Sequence, residues 1–129
     1  MRLLLLYAAL ICGWPAVAQE AVRNADASTF NKLINAGGYE LIDLRTPGEI
    51  MKKGKIAGAH EIDFLAVDSE KQIAALDHKK KYLLYCAGGG RSSDCAELMS
   101  GLGFKNITNL EGGFDDWKKK GFPVEYKKQ

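Results

Sequence analysis

Three glycines lie between a cysteine and an arginine in the segment Cys86–Arg91, which we call the cysteine loop. Cysteine attacks as the thiolate, and a helix N-terminus or a neighbouring cation favours that form. Glycines let consecutive backbone N–H groups turn inward around an anion, while an arginine adds a permanent charge and a planar set of donors. We therefore expect a catalytic Cys86 and a small anionic substrate, bound by Ala87, Gly88, Gly89, Gly90 and Arg91.

The sequence around the cysteine loop predicts a strand before it and a helix after it. The apolar run Tyr82–Tyr85 is typical of a buried strand, and Ser92 is the predicted N-cap of a helix over residues 92–102. This places the cysteine at the carboxyl end of a strand. Ligands bind outside these ends in open α/β sheets, so the predicted fold and the predicted chemistry agree.

Strands and helices alternate along the rest of the chain, which predicts an α/β fold with a mainly parallel sheet flanked by helices. The other predicted elements are strands at 40–44, 59–62 and 107–110, a helix from Asp26 or Ser28 to Gly37, a short helix beginning at Pro47, and helices at 69–76 and 114–120. Asp43 and Arg45 are expected to form an ion pair at a strand end, and Trp117 to pack in the core. His60 and His78 have no cysteine or carboxylate at metal-ligand spacing, so we expect no metal and no cofactor.

Four segments of the chain, in order, resemble motifs of the rhodanese family. They are Leu41–Glu49, Gly54–Ala59, the cysteine loop itself, and Leu110–Trp117 followed by Gly121–Val124. Lys55 stands where the family usually has a histidine in the second motif. The resemblance covers residues 26–127 and implies a rhodanese-like three-layer domain whose cysteine carries a persulfide.

The length of the cysteine loop distinguishes between two activities found on this fold. Protein phosphatases that resemble this chain have five residues between the cysteine and the arginine, which wrap a tetrahedral phosphate. Here only four residues separate Cys86 from Arg91, which is the form associated with sulfurtransferases. We therefore expect a sulfurtransferase rather than a phosphatase.

The resemblance implies a double displacement at Cys86. The thiolate attacks the outer sulfur of an anionic donor such as thiosulfate, and a thiol or cyanide then accepts the sulfur from the persulfide. Two other classes remain open. One is a non-catalytic rhodanese-like binding or persulfide-carrier module, and the other is an exported dithiol redox protein that uses Cys86 and Cys95. We expect Cys95 to pack in the core, since its spacing from Cys86 differs from an efficient Cys-x-x-Cys pair.

The first eighteen residues are typical of a secretory signal peptide. A positive residue and a short apolar run precede the small residues Ala16–Ala18, which form a cleavage site. We expect one domain over residues 19–129, exported across the inner membrane to the periplasm and not inserted in the membrane after cleavage. Lipid attachment at Cys12 is an alternative.

The composition is that of an ordinary globular domain and does not suggest nucleic-acid binding. The 129 residues are 47% hydrophobic, and 18 Lys and Arg balance 16 Asp and Glu to a formal net charge of +2. A chain without a strong basic excess lacks the electrostatic attraction on which nucleic-acid binding depends. We expect a monomer that meets a sulfur donor and an acceptor.

Overall fold

The computed structural model describes residues 20–128 together with Gly13. The remainder of the predicted signal peptide, including Cys12, lies outside the described residues. Within the described part of the chain, no helix combines the length and the apolar character needed to cross a bilayer.

Five strands and five helices alternate after residue 21. The strands are β1 Val22–Ala25, β2 Tyr39–Asp43, β3 His60–Glu61, β4 Lys81–Tyr85 and β5 Ile107–Leu110. The helices are α1 Ala27–Ala36, α2 Pro47–Lys53, α3 Ser69–Ala74, α4 Gly90–Gly101 and α5 Gly113–Lys119. Each element predicted from the sequence is present, with ends shifted by at most two residues.

The strands form one parallel sheet in the order β1-β5-β4-β2-β3, which confirms the predicted α/β fold. β4 is the central strand, so its carboxyl end is bordered by β5 on one side and β2 on the other. Tyr82 and Leu84 face the core beneath α3 and α4, whereas Leu83 and Tyr85 face the core beneath α1 and α5. This burial on both faces explains the continuous apolar run of β4.

Strand β1 is not among the predicted elements. Only Ala25 of its four residues is fully buried, and Arg23 and Asn24 are exposed, so the segment lacks a strong apolar pattern. Its pairing with β5 runs from Val22 opposite Ile107 to Ala25 opposite Leu110. A weak edge strand of this kind is specified by its partner, which lies more than eighty residues away.

Helix α2 begins as the sequence predicts, but α4 does not. Pro47 lies in the first turn of α2, and Thr46 and Glu49 form a reciprocal capping box in front of it. The N-cap of α4 is Gly89, with φ of 101°, so the prediction that Ser92 caps this helix is wrong. The chain enters the helix early because it turns tightly around the Cys86 side chain, and the Ser92 hydroxyl bonds to atoms of that turn instead.

Candidate active site

The sulfur of Cys86 lies inside the turn that joins β4 to α4. Its Sγ accepts hydrogen bonds from the amide of Gly89 at 3.1 Å and from the amide of Ser92 at 3.4 Å. The Ser92 hydroxyl lies 3.4 Å from the same sulfur and 3.2 Å from the carbonyl of Gly89. The two backbone amides stabilise a negative charge on the sulfur, in the manner of an oxyanion hole, and the Ser92 hydroxyl joins them when its single proton turns from the Gly89 carbonyl to Sγ. Cys86 is 1% exposed, so only a small terminal atom of a substrate reaches it.

The start of α5 orients the backbone of the cysteine loop. The amide of Phe114 donates to the carbonyl of Cys86 at 2.8 Å, and the amide of Asp115 donates to the carbonyl of Ala87 at 3.0 Å. Both carbonyls are therefore directed to α5. Within residues 20–128, the amides of Ala87 and Gly88 donate to no protein acceptor, which leaves them available to an anion.

Two glycines permit the close approach of these segments. Gly89 adopts φ of 101° against the carbonyl of Glu111, and Gly113 adopts φ of 65° against the carbonyl of Ala87. A Cβ atom at either glycine would overlap the opposing carbonyl. Glu111, whose role the sequence leaves open, thus borders the cysteine loop through its backbone.

Arg91 closes the loop, and its guanidinium is paired with Glu49 of α2. The two Nη atoms donate to the two carboxylate oxygens at 2.8 and 2.9 Å, a bidentate arrangement. These hydrogen bonds lower the pKa of Glu49 to about 2 and raise the pKa of Arg91 above its ordinary value. The charges of Cys86 and Asp63 also raise the pKa of Arg91, so both groups lie within its electrostatic reach.

A buried polar network lies below the loop, at the ends of β2 and β4. Arg45 donates to Asp43 at 2.7 Å and to the carbonyl of Gly54 at 2.7 Å, and both side chains of the ion pair are fully buried. The Tyr85 hydroxyl donates to Asp43 at 2.6 Å. Burial alone lowers the pKa of Arg45, but the bonds and charge of Asp43 outweigh it and raise that pKa. The predicted ion pair is confirmed as a scaffold beneath the site.

Phe114 links this network to the loop. Its ring lies under the Arg45 guanidinium, whose central carbon is 4.1 Å from the ring centroid, while its amide holds the loop carbonyl. The contact is a cation–π interaction between Arg45 and Phe114. It gives the Arg45 guanidinium a favourable contact although its Nη1 atom has no hydrogen-bond partner among the described residues.

The second cysteine belongs to the core, as predicted. Cys95 is fully buried under the sheet, and burial raises the pKa of its thiol to about 12. Both Cys86 and Cys95 are free thiols. Trp117 is likewise buried, and its indole N–H donates to the carbonyl of Pro123 at 2.8 Å.

Lys55, which departs from the family motif, has a structural role here. Its ammonium group donates to the carbonyl of Ala59 at 2.7 Å and to Glu61 at 2.9 Å. Its side chain is only 10% exposed, and the ion pair with Glu61 satisfies the charge. Among residues 20–128, no three His, Cys, Asp or Glu side chains converge on a possible metal site.

The structure brings the six predicted site residues into one loop, and their roles toward a substrate stay predictions. It adds Glu49 and Ser92, which the sequence analysis assigns to no site. In the sequence, Glu49 is the last residue of the first rhodanese-like motif and the third residue of a capping box with Thr46, and neither signal places it beside Arg91. Ser92 directly follows the cysteine loop. Its hydroxyl is the one feature of the neighbouring sequence that indicates a hydrogen-bond donor to the Cys86 sulfur.

A sequence profile of the rhodanese-like domain matches residues 26–120. The chain belongs to the rhodanese-like family. This rhodanese-like domain is 25% identical over 104 residues to the thiosulfate sulfurtransferase GlpE of Actinobacillus pleuropneumoniae, a match that covers 77% of this chain and 96% of that protein. It is 30% identical over 96 residues to the mouse thiosulfate sulfurtransferase/rhodanese-like domain-containing protein 3, which covers 66% of this chain and 61% of the mouse protein.

Solved structures agree with this assignment. The crystal structure of a rhodanese-related protein from Thermoplasma volcanium aligns with this protein with a TM-score of 0.69 at 31% sequence identity. The alignment covers 79% of this chain and 96% of the Thermoplasma chain. The resemblance inferred from four short motifs is therefore confirmed over most of the chain.

Proposed function

We propose that this protein is a sulfurtransferase that moves a sulfane sulfur from an anionic donor such as thiosulfate to a thiophilic acceptor through a persulfide on Cys86. The observation that carries the proposal is the placement of the Cys86 sulfur at a strand end, with donors from Gly89 and Ser92 aimed at it. The relatives named thiosulfate sulfurtransferase support the same activity.

The first step is a displacement on the donor. The Cys86 thiolate attacks the outer sulfur of thiosulfate, a new S–S bond forms to Cys86, and the S–S bond of thiosulfate breaks. The electron pair of that bond leaves with sulfite. Sulfite carries two negative charges away, and the single charge that the Cys86 thiolate brought stays on the persulfide. The amides of Ala87 and Gly88 are free to bind the donor, and Arg91 lies beside them with its charge largely balanced by Glu49.

The second step returns the enzyme to its starting state. Cyanide or a thiolate attacks the terminal persulfide sulfur, takes it as thiocyanate or as a new persulfide, and leaves the electron pair on Cys86. The Gly89 and Ser92 donors stabilise the departing thiolate, which makes Cys86 a good leaving group. No general base is required when the thiolate is already formed.

The dithiol alternative has less support. Cys95 is fully buried with a thiol pKa of about 12, so it ionises too rarely to resolve a disulfide. The near-complete burial of Cys86 also disfavours attack on a bulky disulfide and favours a terminal sulfur atom.

Intact mass spectrometry tests the proposal directly. Thiosulfate is expected to add one sulfur atom to the wild type, and cyanide is expected to remove it. Cys86→Ser should gain no sulfur, whereas the matched variant Cys95→Ala should gain and release it as the wild type does. Transfer that survives in Cys86→Ser would overturn the proposal. A wild type with free thiols that takes up no sulfur from any donor would instead indicate the binding module.

We also propose that the protein is exported to the periplasm after cleavage before Gln19. The mass of the protein isolated from a secreting host gives the position of the mature N-terminus. A mass that corresponds to residues 19–129 supports export with this cleavage, a retained leader contradicts export, and an added lipid at Cys12 contradicts cleavage before Gln19.

A further inference from the structure

The cation of the cysteine loop is already neutralised in this structure. Both Nη atoms of Arg91 point to Glu49, and both carboxylate oxygens of Glu49 receive them. The two side chains are 23% and 30% exposed, so the pair is partly shielded from water. A second carboxylate, Asp63, also acts on the same guanidinium. The one positive side chain of the cysteine loop is therefore balanced by the carboxylate that binds it.

Glu49 is held in this position by its own helix. Its carboxylate accepts from the Thr46 hydroxyl at 3.1 Å and from the Thr46 amide at 3.5 Å, while the Glu49 amide donates back to the hydroxyl. A side chain bound on two sides does not move aside at low cost when an anion arrives. Any donor that enters the cysteine loop meets the negative charge of Glu49 as well as the positive charge of Arg91.

We propose that Glu49 discriminates among sulfur donors by their charge and favours singly charged over doubly charged donors. The inference rests on the proposed sulfurtransferase function and deepens it, because it shifts the donor preference from thiosulfate towards monoanions such as thiosulfonates and persulfides. The repulsion from one carboxylate is proportional to the charge of the donor. It therefore penalises thiosulfate twice as much, in free energy, as a monoanion at the same place.

Glu49→Gln is the informative substitution. Glutamine also completes a capping box, so the start of α2 is retained while one negative charge is lost. We expect kcat/KM for thiosulfate to rise by about tenfold, on the scale of a single charge at a partly shielded site. For a monoanion the same reasoning gives the square root of that factor, roughly threefold.

The probes are thiosulfate and methanethiosulfonate, which present the same terminal sulfur with two charges and one charge. Methanethiosulfonate gives the same Cys86 persulfide and releases methanesulfinate with the bonding electron pair. Persulfide formation is followed in single turnovers at low ionic strength, since salt screens the effect. The matched control is Glu40→Gln, because Glu40 pairs with Lys80 on an exposed surface at the opposite end of β2. Asp63→Asn is a second test variant.

The expected result is a rise in the ratio of thiosulfate to methanethiosulfonate reactivity in Glu49→Gln, a smaller rise in Asp63→Asn, and none in Glu40→Gln. Persulfide formation with an unchanged donor ratio in Glu49→Gln would overturn the role of Glu49, whatever the result for Asp63→Asn, and would leave the proposed function intact. An equal loss with both donors would also overturn it, because Glu49 would then only hold the loop in shape. If the wild type forms no persulfide with thiosulfate and none with methanethiosulfonate, the proposed function itself is overturned.

Discussion

Removal of the Tyr85 hydroxyl is a direct test of how the site is supported. Tyr85 immediately precedes Cys86, and its hydroxyl donates to the Asp43 carboxylate at 2.6 Å and accepts from the Ile56 amide at 3.0 Å. The ring is fully buried, and burial together with the charge of Asp43 raises the pKa of the hydroxyl well above its ordinary value. The hydroxyl is thus a neutral donor at all ordinary pH values, and Tyr85→Phe deletes it with little change in shape.

The expected cost follows from the two lost bonds. A hydrogen bond to a charged group contributes about 1.5–3 kcal/mol, and a buried N–H left without a partner costs about 1–3 kcal/mol. Because the two losses share one site and are not additive, we expect Tyr85→Phe to lower the free energy of unfolding by about 2–4 kcal/mol. For a domain of this size, this lowers Tm by roughly 10–25 °C.

Tyr82→Phe is the matched control in the same strand. The Tyr82 hydroxyl donates to the carbonyl of the exposed residue Asp77 at 2.7 Å, in a partly buried hydrogen bond between two uncharged groups. Its loss should cost about 0.5–1.5 kcal/mol.

Urea unfolding of the wild type, Tyr85→Phe and Tyr82→Phe, followed by circular dichroism near neutral pH, measures the difference. Equal slopes with different midpoints would show that stability alone has changed. Persulfide formation well below both transitions should persist in Tyr85→Phe, since the hydroxyl touches the scaffold and not Sγ. If Tyr85→Phe is no less stable than Tyr82→Phe, the network below the loop does not carry the support that we ascribe to it.

Three further predictions concern the loop and its neighbours. Gly113→Ala should abolish sulfur transfer and lower the free energy of unfolding more than Gly121→Ala does. Both glycines have positive φ, but only a Cβ atom at Gly113 would overlap the backbone of the cysteine loop. Urea unfolding measures the stability, and the mass of the persulfide measures the transfer. The Glu49–Arg91 pair should stabilise the fold above about pH 4.5 and lose this effect as the pH falls towards 2, because the folded-state pKa of Glu49 is the lower one. The stability difference between the wild type and Glu49→Gln should therefore shrink in acid. Cys95 should resist iodoacetamide at mildly alkaline pH until the protein is unfolded, as peptide mapping would show.

The local features of the fold were predictable because neighbouring residues specify them. The apolar run of β4 and the glycines after it place Cys86 at a strand end without reference to any other part of the chain. Pro47 and the capping box in front of it similarly define the start of α2. These contacts span a few residues, so short-range patterns contain the necessary information.

The partners of the loop were not predictable, because they depend on which segments the sheet brings together. Glu49 and Arg91 are 42 residues apart and meet only because β2 and β4 are neighbours. Ser92 matched the pattern of an N-cap, but the tight turn around Sγ moves the N-cap three residues earlier, to Gly89, and gives the Ser92 hydroxyl a different role. In both cases a residue type with several local uses received its actual use from tertiary packing.

The same packing determines which polar groups of the cysteine loop stay available to a ligand. The carbonyls of Cys86 and Ala87 are engaged by the first turn of α5, and the guanidinium of Arg91 is engaged by Glu49. What is left for a substrate is a nearly enclosed sulfur and the backbone amides around it. If the proposed function holds, a donor is selected by the size of its terminal atom and by its net charge, because the one charged side chain of the loop is already paired. The scaffold would then set specificity by occupying the other polar groups of a loop whose centre consists of glycines.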